Sequence, residues 1–193
     1  MGRLGKRLAR GFTVIEAMIT IAVASVTIAV ALPSYSTIVR NGLLARHIYG
    51  FYSALNMARS EAIKRGRSVS VCPSTDRVSC AASGTPWEQG WIVFVDSNNN
   101  HLVDGTDQVL WAERDLTAGY TLRGTSATSL PSYFTMNPKG APSATGQYVL
   151  CQAAHVNPAR AILVSMGGRI SIANDNDGVP VAADGSNMTS CTP

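Results

Sequence analysis

The chain reads GFTVIEAMITIAVASVTIAVAL from Gly11 to Leu32, and this stretch decides the N-terminal part of the fold. The only ionisable side chain in it is that of Glu16. As a helix, the apolar run that begins at Phe12 is ~31 Å long at ~1.5 Å per residue, enough to cross the hydrocarbon core of a bilayer. With Pro33 directly after it, the run predicts a membrane-spanning helix half over residues 12–33.

The net charge of the chain, +4 from 16 basic and 12 acidic side chains among 193 residues, comes from a short leading segment. Residues 1–11 hold four basic residues and no acid: Arg3, Lys6, Arg7 and Arg10. Beyond them the charges balance, which argues against a globally basic nucleic-acid binder. Because basic residues stay on the cytoplasmic side of a membrane, we expect a leader peptide over residues 1–11 and the chain after Leu32 on the far side.

The carboxylate of Glu16 would cost ~2.5 kcal/mol or more inside lipid unless it is neutralised or paired. No Lys, Arg or His lies within the run, so its partner would come from another chain or from a freed N-terminal amine. Cleavage between Gly11 and Phe12 would create such an amine about one helical turn away. Two alternatives are a plain membrane anchor whose Glu16 reaches back to the interface and an ordinary signal peptide, whose apolar core would be shorter.

The residues Gly11-Phe12-Thr13-Val14-Ile15-Glu16 resemble the prepilin processing motif of type IV pilins and type II secretion pseudopilins. The resemblance extends to the basic leader and to Pro33, where the helix of this family kinks. It implies that a prepilin peptidase cleaves after Gly11 and methylates the amine of Phe12. It also implies that Glu16 pairs with the N-terminus of a neighbouring subunit in a filament, where it could set the register of packed helices.

The next segment, residues 34–67, has apolar residues that recur mostly at spacings of three and four. This pattern predicts the amphipathic half of the helix, ending near Arg65, with Gly66 as its stop. Glu61 and Arg65 are placed to form an i,i+4 pair. Between Ser34 and Val71 six basic residues stand against one acid, whereas from Cys72 onward six stand against ten.

The remainder, residues 68–193, changes to a period of two, with short apolar runs broken by Gly, Pro, Asn and Ser. Strands are predicted near residues 68–72, 91–96, 109–114, 120–123, 133–136, 147–151, 161–165 and 169–173. The short spacing leaves no room for crossover helices. The fold class is therefore α+β, a long N-terminal helix packed on an antiparallel β head, with the strand order left open.

Several segments of this head resemble the GspH/FimT-like minor pilins and pseudopilins. The segments that carry the resemblance are Ala58-Arg59-Ser60-Glu61-Ala62, Val69-Ser70-Val71-Cys72, Gly90-Trp91-Ile92-Val93-Phe94-Val95-Asp96, Arg160-Ala161-Ile162-Leu163-Val164-Ser165 and Gly168-Arg169-Ile170. The resemblance implies a minor pilin, a structural subunit placed at or near the tip of a type IV pilus. The alternatives are a minor pseudopilin of type II secretion and a DNA-binding pilin for natural transformation.

This resemblance also implies partners and a location. The partners would be other minor and major pilins, the prepilin peptidase and the inner-membrane assembly platform. The protein would cross the inner membrane once, with its head in the periplasm, before it joins the pilus filament. Catalysis is not expected, because the sequence has no G-x-S-x-G elbow, no H-E-x-x-H and no P-loop, and its three histidines lie in unrelated segments.

The four cysteines allow three pairings in a compartment where disulfides persist. We favour Cys72 with Cys80, which closes a short loop, and Cys151 with Cys191, which would pin the polar tail. A zinc site is the alternative, although no C-x-x-C spacing supports it.

A calcium loop is a further candidate, over residues 96–107. Oxygen-bearing side chains stand at positions 1, 3, 5, 9 and 12 of this loop: Asp96, Asn98, Asn100, Asp104 and Asp107. His101 replaces the glycine of the sharp turn, and Asp107 replaces the longer glutamate. The alternative is a hairpin whose Asn and Asp side chains cap their own backbone, in which case no cofactor is bound.

DNA binding is the last candidate. Some members of the family contact DNA through a glycine followed by two arginines spaced one residue apart. Here that motif reads Gly168-Arg169-Ile170-Ser171, so the second arginine is missing. Arg160, Arg169 and Lys139 could form a small basic patch, although the acidic balance of the head disfavours extended DNA contact.

Overall fold

The computed structural model describes residues 11–124, 132–153, 155–173 and 191, without the side chains of residues 30–34, 36 and 155–157. The chain divides into two compact units, residues 1–40 and 41–193. A single α-helix, α1 (Val14–Arg65), contributes to both.

The first unit contains the N-terminal part of α1. The hydroxyl of Thr13 accepts a hydrogen bond from the backbone N–H of Glu16 at 3.3 Å, so Thr13 caps the helix. The hydroxyls of Thr20, Ser25 and Thr27 donate to backbone carbonyls three or four residues earlier. These three hydroxyl groups therefore find partners within their own helix.

Apolar side chains of this unit are exposed on every side of the helix. Phe12 is 77% exposed and Val14 79% exposed. Among the residues that the structure describes, no helix combines the length and the hydropathy that a membrane crossing requires. Part of the predicted span, residues 12–33, has side chains outside the described set, and the span stays a prediction.

The second unit holds the remainder of α1 and two four-stranded antiparallel sheets. The strands are β1 (Val69–Pro73), β2 (Trp91–Val95), β3 (Gln108–Glu113), β4 (Tyr120–Gly124), β5 (Phe134–Met136), β6 (Gly146–Gln152), β7 (His155–Val164) and β8 (Ile170–Ala173). The first sheet has the order β3-β2-β1-β5 and the second the order β4-β6-β7-β8. A short 3-10 helix, Trp87–Gln89, precedes β2.

One face of α1 and one face of each sheet form the main core. Phe51 lies at its centre and makes edge contacts with the rings of Trp87, Trp91 and Tyr148 at centroid distances of 5.4, 5.1 and 5.0 Å. The helix also buries Leu44, Ile48, Leu55, Ala58 and Ala62. Residues from both sheets join this one cluster, so the helix packs on both.

The outer faces of the sheets carry the two disulfides. Cys72 bonds to Cys80 beside the buried side chains of Ile92 and Phe94. Cys151 bonds to Cys191 behind the second sheet. These are the two pairings favoured from the sequence.

The α+β class is confirmed, and each of the eight predicted strands has a counterpart. Glu61 and Arg65 form the expected ion pair, and Gly66 follows the helix at a φ of 63°. The strand order, which the sequence left open, is that of two sheets. Because β5 pairs with β1 while β4 pairs with β6, the strands divide into two sheets.

Candidate functional site

The processing motif lies at the start of the described chain. Gly11, Phe12 and Thr13 are exposed and precede the helix, which begins at Val14. The peptide bond after Gly11 is therefore in non-helical, accessible backbone, as a peptidase requires. Glu16 is exposed in the first helical turn and forms no ion pair within the described residues. In this turn, the positive end of the helix dipole stabilises the negative charge of the carboxylate.

Asp96, the first residue of the proposed calcium loop, is turned into the head. Its side chain has 0% exposure. Its oxygens accept hydrogen bonds from the Ser70 hydroxyl at 2.9 Å and from the backbone N–H groups of Asn100 and His101 at 3.1 Å each. The carboxylate is thus held by protein donors on more than one side.

The other oxygen-bearing residues of this loop hydrogen-bond to one another. The side-chain amides of Asn98 and Asn100 donate to the carboxylate of Asp104. The carboxylate of Asp107 accepts from the backbone N–H of Ser97 at 3.0 Å. The described residues include no group of three or more His, Cys, Asp or Glu arranged to hold a metal ion. The calcium prediction is untested, and in this conformation the loop satisfies its own polar groups.

A buried polar network joins this loop to the first sheet, and the sequence did not lead us to expect it. Ser70 on β1 donates to Asp96 and lies 2.7 Å from the hydroxyl of Thr135 on β5. The Nδ1 atom of His101 lies 3.3 Å from both Thr135 Oγ1 and Asp96 Oδ2. A signal was present, since Ser70 is a polar residue in an otherwise apolar strand and Asp96 directly follows another.

This network is not arranged for nucleophilic catalysis. A Ser-His-Asp relay needs the nucleophile on one ring nitrogen of histidine and the carboxylate on the other. Here Thr135 and Asp96 both contact Nδ1 of His101. The arrangement orients the ring of His101 and does not activate the hydroxyl of Thr135 as a nucleophile.

The basic residues of the DNA hypothesis are only partly brought together. A Cβ added to Gly168 would lie 1.9 Å from the carbonyl oxygen of Gly140, so the turn after β7 touches the turn after β5. Lys139 and Arg169 are exposed neighbours of these two glycines. Arg160 lies beyond the last β7–β8 pair, ~13 Å along the strand from the turn, so it does not belong to their patch.

Arg59 is the residue at this contact that the sequence interpretation missed. Its guanidinium donates to the carbonyl of Gly167 at 3.1 Å, and its Nε is close to the position of a Cβ at either Gly140 or Gly168. That Nε is buried and has no hydrogen-bond partner among the described residues. Arg59 thus fastens α1 to both turns.

His47 has an electrostatic environment that differs from that of free histidine. Burial, and then the charge of Arg46, lower its pKa. Its Nε2 lies 3.4 Å from the backbone N–H of Thr117, which makes this nitrogen an acceptor. Its ring also packs against Tyr120 at a centroid distance of 5.1 Å. The neutral imidazole is therefore the form that this site favours.

Two protein-family models match this chain, one over most of the second unit and one at the N-terminus. The family model described as "Type II transport protein GspH" matches residues 50–168, more than half of the chain. The chain belongs to the GspH family. The model described as "Prokaryotic N-terminal methylation motif" matches residues 6–32, the region of the processing motif. Both agree with the resemblances drawn from the sequence.

Solved structures similar to this chain include a minor pilin and a minor pseudopilin. The type IV minor pilin FimU of Pseudomonas aeruginosa matches with a TM-score of 0.51 and 19% identity, over 70% of this GspH-family chain and 94% of FimU. The minor pseudopilin EpsH from the type 2 secretion system of Vibrio cholerae matches with a TM-score of 0.48 and 12% identity, over 67% and 94% of the two chains. At these identities the likeness concerns the fold alone. Curated protein sequences gave no significant match.

Proposed function

We propose that this GspH-family chain is a minor pilin, a structural subunit of a type IV pilus. The observation that carries the proposal is the combination at the N-terminus. An exposed, non-helical Gly11–Phe12 bond lies shortly before a helix whose apolar side chains are exposed from Val14 to Ile28. Such a surface requires lipid or other apolar helices to cover it, and a filament core supplies the second after the membrane has supplied the first.

The proposed course of events follows from the same residues. A prepilin peptidase cleaves after Gly11 and methylates Phe12, while the protein spans the inner membrane once with its head in the periplasm. The two disulfides favour such an oxidising compartment. The subunit then joins other pilins at or near the filament tip through the inner-membrane assembly platform. Pro33 stands where the helix of this family kinks, and such a kink would help the helix to pack in the filament.

Mass spectrometry of the protein from its native host tests the processing step. The N-terminal peptide should begin with methylated Phe12, and Gly11→Val should leave the leader attached, because a branched side chain would obstruct the cleavage site. Gly42→Val is the control, since this exposed glycine lies outside the motif. An intact leader in the wild-type protein would contradict the proposal.

Assembly is tested through Glu16. Glu16→Gln keeps the shape of the side chain but removes the charge that would pair with a neighbouring N-terminus. We expect less of this variant in sheared pili than of the wild type at equal expression. Equal amounts of the variant and the wild type in the filament would contradict the pairing role of Glu16, although not the assignment to the family.

A minor pseudopilin of type II secretion is the second candidate within the same family. A deletion strain distinguishes the two, because loss of twitching motility supports the pilus and loss of exoprotein secretion supports the secretion system.

DNA uptake is a third candidate, favoured by the contact that brings Lys139 and Arg169 to adjoining turns. Duplex DNA should then bind with an affinity that falls steeply with salt, and Lys139→Ala and Arg169→Ala should each reduce that slope by about one unit. Absence of binding at low ionic strength would remove this candidate.

A further inference from the structure

A small cavity lies beside the buried network of Ser70, Asp96, Thr135 and His101. It measures about 260 Å³, and its lining residues include His101, Tyr133 and Thr135. The size is just below the about 300 Å³ at which pockets for drug-sized ligands begin, and it is enough for a single small ring. The cavity admits one small ligand.

The backbone at this cavity is strained, which needs an explanation. Asn99 and His101 line it and have φ angles of 59° and 65°. Such left-handed conformations favour glycine and are tolerated by asparagine, but they cost most other residues, including histidine, ~1 kcal/mol or more. Position 101 is also where a calcium loop has its glycine. A histidine there is costly to the backbone, so its side chain must contribute something that glycine could not.

The hydrogen bonds fix where the proton of His101 lies. Asp96 can only accept, so the hydroxyl hydrogen of Ser70 points to Asp96. Thr135 must then donate to Ser70. Because the hydrogen of Thr135 is committed, Nδ1 of His101 is the donor in its contacts with Thr135 and Asp96. Neutral His101 therefore carries its proton on Nδ1 and presents Nε2 as an acceptor without a partner among the described residues.

The ring of His101 is also held in place from the side. It stacks on the ring of Tyr133 at a centroid distance of 3.6 Å and an interplanar angle of 11°. The hydroxyls of Tyr133 and Ser68, which also line the cavity, have no hydrogen-bond partner within the part of the chain that the structure describes. The cavity lining thus includes an oriented acceptor and two hydroxyl groups that have no partner among the described residues.

The lining carries no formal charge. Its residues are hydroxyl, amide, aromatic and small apolar, and none is Asp, Glu, Lys or Arg. A phosphate or a carboxylate would find no cation here, and a metal ion would find no carboxylate. Neutral hydrogen-bonding groups beside aromatic rings suit a ligand with several hydroxyls and apolar C–H faces.

We propose that this cavity, between the β2–β3 loop and β5, binds a single neutral sugar residue. His101 Nε2 accepts from one sugar hydroxyl, and the hydroxyls of Tyr133 and Ser68 bind others. Asp96, Ser70 and Thr135 act as positioning residues that orient His101. This site gives the head a ligand of its own, independent of its place in a filament.

NMR titration of the full-length chain tests the proposal. The chain is held in dodecylphosphocholine micelles, because this detergent contains no sugar. The probes are glucose, galactose and N-acetylglucosamine, with inorganic phosphate as the anionic comparator. At least one sugar should shift the Nε2 resonance of His101 saturably, with a Kd of about 1–10 mM, whereas phosphate should not.

A matched pair of tyrosine variants isolates the cavity. Tyr133→Phe keeps the ring that stacks on His101 and removes only the hydroxyl, so we expect about three- to tenfold weaker sugar binding without unfolding. Tyr49→Phe removes the hydroxyl of a tyrosine that is 57% exposed on α1 and should leave binding unchanged.

The source of the sugar is distinguished by a methyl glycoside. Binding of both glucose and its methyl glycoside would assign the cavity to the end of a glycan chain, and binding of the free sugar alone would assign it to a soluble sugar. Either result supports the proposal. It is overturned if no sugar shifts His101 at about 100 mM, far above the expected Kd. Equal binding by the two tyrosine variants, or equal shifts from phosphate, would also overturn it.

Discussion

Gly168 shows how one residue can hold a functional surface together. Its φ is 75°, and the Gly140 carbonyl occupies the space that any side chain would need. Gly140, also at positive φ, packs against Ile63 and Arg59 of α1. The two glycines therefore allow two turns and a helix to meet, and these are the turns that carry the exposed residues Lys139 and Arg169.

Gly168→Ala should destabilise the head strongly. The new Cβ would be strained by the positive φ and would displace the Gly140 backbone, which together cost about 2 kcal/mol or more. Gly167→Ala is the matched control, because a Cβ there would contact nothing within 4 Å. Urea unfolding curves of the two variants measure the difference, and similar midpoints would contradict the close approach.

The pH dependence of stability should carry a contribution from His47. Its pKa is lower in the folded protein than the ordinary 6.5, so the unfolded chain takes up the proton first. The stabilising contribution is complete above pH ~6.5 and is lost as the pH falls from there through the folded pKa. Protonation would also disrupt the contact of Nε2 with the Thr117 N–H.

Thermal unfolding between pH 8 and 5 checks this expectation, with His47→Gln as the comparison. The variant should lose less stability on acidification than the wild type over this range. Parallel curves would show that His47 does not contribute.

At the scale of the element, the second half of α1 supplies the central packing surface of the head. Its buried face supplies the residues on which both sheets pack, and Phe51 contacts aromatic rings that come from different segments. Neither sheet buries this face alone. The helix therefore stabilises the head as a whole and does not merely connect it to the N-terminal unit.

Phe51→Ala should cost about 3–5 kcal/mol of unfolding free energy, because a fully buried aromatic side chain is lost and a cavity is left. Tyr49→Ala, at an exposed position two residues earlier, should change stability by less than about 0.5 kcal/mol. Tryptophan fluorescence reports the transition directly, since Trp87 and Trp91 contact Phe51. Similar losses in both variants would show that Phe51 is not central.

At the scale of the molecule, the two disulfides constrain the chain over very different lengths. Cys72 and Cys80 are 8 residues apart in the sequence, whereas Cys151 and Cys191 are 40 apart. The longer loop loses more conformational freedom in the unfolded chain when it is closed. The Cys151–Cys191 bond should therefore be the more stabilising of the two.

Paired serine variants measure this difference. Replacing Cys151 and Cys191 should cost about 4 kcal/mol, and replacing Cys72 and Cys80 about 2.5 kcal/mol, in the chain-entropy model. Urea unfolding of both variants without reductant gives the two values. A larger loss from the short loop would indicate that its contacts with the outer face of the first sheet, and not loop entropy, dominate.

Much of this molecule could be predicted from local sequence. The processing motif, the end of the helix at Arg65 and all eight strands follow from patterns a few residues long, because helix and strand periodicity and turn residues act locally. The family resemblance was likewise contained in short segments such as residues 90–96. Even the two disulfide pairings followed from spacing, since one of them closes a short loop.

Other features were decided only by the tertiary structure. The division into two sheets, the contact of Gly140 with Gly168 and the network of Ser70, Asp96, Thr135 and His101 all join residues from distant parts of the chain. Which strands pair depends on how the whole chain packs against one helix face, and local periodicity contains no information on that choice. For this protein, the sequence by itself determined the elements and the processing signal. The packing of those elements decided which residues meet, and with them the adjoining turns that carry Lys139 and Arg169 and the neutral cavity.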